Sequence, residues 1–72
     1  MSRAEMVMRL GFYIGIAERL LGDDSYGREY RGHAELITEE VYAQVTGEIQ
    51  ARLVEGGHIA ADEDPFPVVF VE

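Results

Sequence analysis

Apolar residues near the start of the chain recur at alternating intervals of four and three. Met6, Leu10, Tyr13, Ala17 and Leu20 follow that spacing, which lays a single stripe along a helix. Val7, Ile14 and Leu21, seven apart, run beside it and widen it. The apolar arc from Ile16 round to Val7 then covers about half the helix circumference, with Met8 and Phe12 outside it near Arg19. Ser2 with Glu5 three residues later is a capping box and predicts the helix start. Gly22 after Leu21 predicts its stop.

A second helix is predicted to begin at Thr38, with Glu39 and Glu40 placing negative charge in its first turn. Ile37 and Tyr42 have the spacing of a hydrophobic staple around that cap. Val41, Tyr42, Val45, Ile49 and Leu53 form its core stripe, and Gly56-Gly57 ends the run. Ala34, Glu35 and Leu36 are candidates for extending it backward. Residues 22–37 form a connector rich in Gly, Asp and Tyr, longer than the roughly 2–8 residues of a tight helical hairpin and long enough to hold a short helical turn. After Gly57, Pro65 and Pro67 forbid a helix and favour extended backbone at Asp64 and Phe66. Val68 to Val71 reads as a short strand, with His58 to Ala61 as its candidate partner. The expected fold is therefore mainly α. Two antiparallel helices, a structured connector and a C-terminal extended segment or short β-hairpin make a single domain over residues 1–72.

Composition narrows the function. A chain of 72 residues buries about 60% of its unfolded surface, and a core of this size rarely supplies more than about 3–5 kcal/mol. Cysteine is absent, which excludes disulfides, thiol nucleophiles and Cys-bearing zinc sites. The two histidines, His33 and His58, are isolated from each other, so no metal is expected. Phosphate loops, nucleophile elbows and paired catalytic groups are missing from the sequence, so neither a cofactor nor enzymatic activity is expected. Fourteen acids against six bases give −8, which argues against direct nucleic-acid binding. All six bases are Arg, and Lys and Asn are absent, a bias that a GC-rich gene explains as well as selection for bidentate Arg contacts does. The sequence contains neither an apolar run of membrane-spanning length nor a secretory leader pattern, so the expected location is cytoplasmic.

With covalent and metal staples excluded, self-association is the remaining route to stability. The apolar arc of helix one is broader than helix two and the tail are expected to cover. Met6, Leu10, Phe12, Tyr13, Ala17 and Leu20 are accordingly candidate self-association residues, with Gly11 and Gly15 as a small-residue row for close helix approach. The competing reading of that row is that the glycines fit beneath the chain's own connector. Ala43, Gly47 and Ala51 make a second small-residue row that fits either a solvated face or a second partner.

The connector interleaves Tyr26 and Tyr30 with Arg28 and Arg31, a mixture suited to a small anionic ligand, although Asp23, Asp24, Glu29 and Glu35 lie within reach of both arginines. Asp62, Asp64 and Phe66 in the acidic, Pro-containing tip are candidate contacts to a partner.

The stretch Ala51 to Ile59, a helix ending in a Gly pair with an apolar residue opening the next segment, resembles the end of a winged-helix domain. The resemblance implies an α+β fold and a transcriptional regulator. The helix that would enter the DNA groove carries Glu39, Glu40, Glu48 and Glu55 against Arg52, a balance that repels a phosphate backbone. The expected function is a non-catalytic acidic module that forms a homodimer and binds a protein, acting as a regulator or inhibitor. An acidic decoy of the phage accessory type is a further possibility.

Overall fold

The computed structural model describes residues 1–63. The Ser2 side chain accepts from Glu5 N at 3.1 Å, satisfying one of the helix's orphan amides. From there α1 runs Arg3–Ile16 and continues through a π-helical turn, Ala17–Leu21. Gly22 closes that turn at φ 65, a left-handed conformation that glycine adopts without a Cβ clash, and its N–H donates to the Ala17 carbonyl. The predicted start and stop of helix one both hold.

The π turn changes the face that helix one presents. Its wider spacing breaks the 4-3-4-3 register after Ala17, which is fully buried, and swings Leu20 out to 47% exposure. Leu20 therefore leaves the stripe in which its spacing had placed it.

The connector holds α2, Ser25–Tyr30, and a 3-10 turn, Ala34–Leu36. That turn does not extend the next helix, because Ile37 and Thr38 are in extended conformation. Thr38 then caps α3, Glu39–Glu55, its hydroxyl accepting from Val41 N at 3.1 Å. Arg3 donates to the Ala34 and Ile37 carbonyls and ties the 3-10 turn to the start of α1.

The core is the contact of α1 with α3. Leu10, Ala17, Ile49 and Leu53 are fully buried, with Met6, Tyr13, Ile14 and Val45 around them. The connector adds Tyr26 and Ile37, while Val7, Leu21 and Tyr30 pack partly buried against the cluster. The connector thus covers part of the apolar arc of helix one.

The expectation of antiparallel helices is corrected. Contacts follow the same order on both: Arg3 meets Ile37, Arg9 meets Tyr42, and Asp23, just past α1, meets Arg52. The two long helices thus run in the same sense. The connector recrosses the length of α1 between them, which accounts for its length. Among the described residues there is no strand, and 58–63 follow bends and turns, with Glu63 N donating to the Ala60 carbonyl. The strand proposed at Val68 to Val71 lies outside the described residues.

Candidate interaction surface

The side of α1 opposite the core carries Met8, Gly11, Phe12 and Gly15, with Leu20 on the turn beyond. Met8 is 51% exposed and Phe12 is half-buried against the core edge. A Cβ built at Gly11 or Gly15 meets nothing within 4 Å. The connector therefore does not lie over these glycines, and the reading that they fit beneath it is set aside. Of the candidate self-association residues, Met6, Leu10, Tyr13 and Ala17 are spent in the chain's own core, while Gly11, Phe12, Gly15 and Leu20 remain at the surface.

The glycine that does permit a close approach is Gly27, which sequence spacing offered no reason to single out. A Cβ there would lie 2.5 Å from Glu18 Oε2 and 3.5 Å from Ile14 Cγ2. Its absence lets α2 lie on α1, and the Arg31–Glu18 ion pair closes over the junction at 2.9 Å.

A polar network joins the connector to α3. Asp23 accepts from the Ser25 backbone and hydroxyl at 2.9 and 2.6 Å and from Arg52 at 2.7 Å. The Ser25 hydroxyl, then Arg52, hold the Asp23 carboxyl well below the usual range. Arg52 also donates to the Tyr26 hydroxyl at 3.1 Å, and that hydroxyl donates to Glu48 at 2.5 Å. Burial, and then the bond to Glu48, push the Tyr26 phenol up. Burial followed by the Glu29 charge does the same at Tyr30. Glu48 and Arg52 stand four residues apart on α3, and both reach the Tyr26 hydroxyl. The meeting of Arg52 with Asp23 depended on the helix direction.

These contacts bear on the anion reading of the connector. Arg28 pairs with Asp24 at 3.0 Å and Arg31 with Glu18, so an anion there competes with carboxylates already in place. Tyr26 is buried and its hydroxyl engaged, so it presents no stacking face to a ligand. At the acidic tip Asp62 is exposed, whereas Asp64 and Phe66 lie outside the described residues.

Among the described residues, two grooves border the α1 core face. One, of about 560 Å³, lies between Tyr13 of α1 and Tyr42, Thr46, Gly47 and Gln50 of α3. The other, of about 420 Å³, lies between Val7 and Ile14 of α1 and Tyr30 and Ile37 of the connector. Among the described residues there is no group of three or more His, Cys, Asp or Glu placed to hold a metal ion, and no helix long and apolar enough to cross a membrane. Comparison with protein-family models, curated proteins and solved structures finds no match to this chain, so a functional reading rests on its own surfaces.

Proposed function

We propose that this protein is a non-catalytic, acidic interaction module that self-associates through the outer face of α1 and binds a protein partner as a regulator or inhibitor. The observation that supports this reading is the exposure of Met8 and Leu20 beside two glycines at which an added Cβ meets nothing within 4 Å. Each glycine inside a helix costs about 1 kcal/mol against alanine, a cost that close approach of another helix would offset. A net charge of −8 directs the partner reading toward a basic protein surface rather than nucleic acid.

Sedimentation equilibrium at micromolar concentration tests the self-association. The parent chain should be a dimer, and Met8→Glu should be a monomer whose circular dichroism melt stays cooperative. Gly11→Ala and Gly15→Ala separate two effects. Each should stabilise the dilute monomer by about 0.5–1 kcal/mol. Each should also weaken the dimer, because the new methyl keeps the second backbone away. A parent chain that stays monomeric over the whole range would refute the proposal.

A further inference from the structure

All but one of the six arginines are engaged within the chain. Arg3 donates to the Ala34 and Ile37 carbonyls and Arg9 to the Tyr42 hydroxyl, while Arg28, Arg31 and Arg52 pair with Asp24, Glu18 and Asp23. Arg19 is exposed and makes no hydrogen bond or ion pair among the described residues. At the other end of α1 the exposed Glu5 carboxylate is likewise unpartnered there, since the Glu5 bond to Ser2 uses the backbone N. Glu5 stands three residues before Met8, and Arg19 four after Gly15. Those spacings keep all four on one side of the helix, its outer face.

We infer that two copies meet through this face in antiparallel orientation, with Arg19 of each copy paired to Glu5 of the other. This rests on the self-association proposed above and adds its orientation and its charged contacts. Glu5 and Arg19 lie seven residues either side of position 12, about 10 Å along the axis each way. A two-fold axis through that point and perpendicular to α1 brings Glu5 of one copy opposite Arg19 of the other, twice, as an isologous contact requires. The same axis sets the exposed Met8 of each copy against Gly15 of the other, where an added Cβ meets nothing within 4 Å. A parallel pair would set Glu5 against Glu5, Arg19 against Arg19 and Met8 against Met8. Juxtaposed like charges disfavour that arrangement, and opposite charges fix the register of the other. Both ion pairs lie at exposed ends, where each adds little affinity. Apolar burial holds the copies together, and the charges choose between the orientations.

Sedimentation equilibrium of the full-length chain reads affinity, and disulfide trapping reads orientation. Glu5→Arg makes each copy less negative, so net charge alone predicts a tighter dimer. The antiparallel contact predicts the reverse, because a cation then faces Arg19, and the dissociation constant should rise about ten-fold. Adding Arg19→Glu to that chain restores the parent charge and should restore the parent constant. A Glu5→Arg dimer as tight as the parent, or a double variant as weak as the single one, overturns the inference. Because the chain has no cysteine, a single introduced thiol reports where two copies meet. Gly11→Cys, beside the axis, should cross-link under mild oxidation. Ala4→Cys should not, since its two thiols lie about 20 Å apart along an antiparallel pair, well beyond the ~7 Å between Cα atoms that a disulfide can bridge. In a parallel pair both close, so rapid closure of Ala4→Cys overturns the orientation while leaving self-association in place. A parent chain that stays monomeric removes the self-association itself, and the inference with it.

Discussion

Asp23 accepts three hydrogen bonds from Ser25 and Arg52, and its charged form is the one the fold holds. An aspartate in the unfolded chain titrates near ~3.9, and the folded carboxyl lies well below that. A depressed pKa contributes stability that is complete above the unfolded value and is lost as pH falls toward the folded one. Asp23→Asn should therefore lower the melting temperature at pH 7. The gap to the parent should narrow steadily as pH drops from about 4 to 2, the range below an ordinary aspartate's titration. Thermal melts by circular dichroism over that range measure it. A gap that does not change with pH would show that Asp23 acts through its shape alone. Tyr26 has the opposite sign. Its raised pKa makes the neutral phenol the favoured form, so its contribution is full at neutral pH and fades as pH rises past the ordinary value near ~10.

At the level of elements, the ends of helices were legible because their signals are local. Ser2, Gly22 and Thr38 each act within a few residues, and all three do what their spacing predicts. Helix direction was not legible in the same way, since it depends on where the connector travels. The connector's excess length was the available clue, and a recrossing path satisfies it better than a loose hairpin. The outer face of α1 was half legible. Met8 is exposed as its place outside the apolar arc predicts, whereas Phe12, placed outside the arc with it, packs partly buried against the core, and the π turn that exposes Leu20 leaves no mark in the spacing. Gly27 was hidden for a related reason, because its role needs a neighbour from α1. That role is testable. Gly27→Ala displaces the flexible end of Glu18, and its helix propensity gain offsets most of the loss of an exposed ion pair, for a net change within about 1 kcal/mol. Gly27→Leu also presses on Ile14, and should cost about 1–3 kcal/mol in urea unfolding. Equal stability for the Leu variant would show that α2 does not rest on α1 as described.

For the whole molecule, charge and apolar surface pull self-association in opposite directions. Each copy carries −8, so two copies repel at long range, while Met8, Phe12 and Leu20 gain by leaving water. Salt separates these contributions, because it screens the repulsion and leaves apolar burial in place. The screening length falls from about 30 Å at 0.01 M to about 3 Å at 1 M. Raising sodium chloride from about 10 to 500 mM, across most of that screening range, should therefore tighten the dimer. Capture of a basic partner behaves oppositely, since salt weakens attraction between unlike charges. The same titration thus assigns the two surfaces of the proposed function, self-association strengthening and capture of a basic partner weakening along one axis. Sedimentation equilibrium across the series measures the first. If salt instead dissociates the dimer, ion pairs hold it together and the Met8–Phe12 face is not the interface. Met8→Glu then adds a second check. It removes apolar burial and adds a charge, so its monomer should stay monomeric at high salt, where a merely repelled pair would recombine.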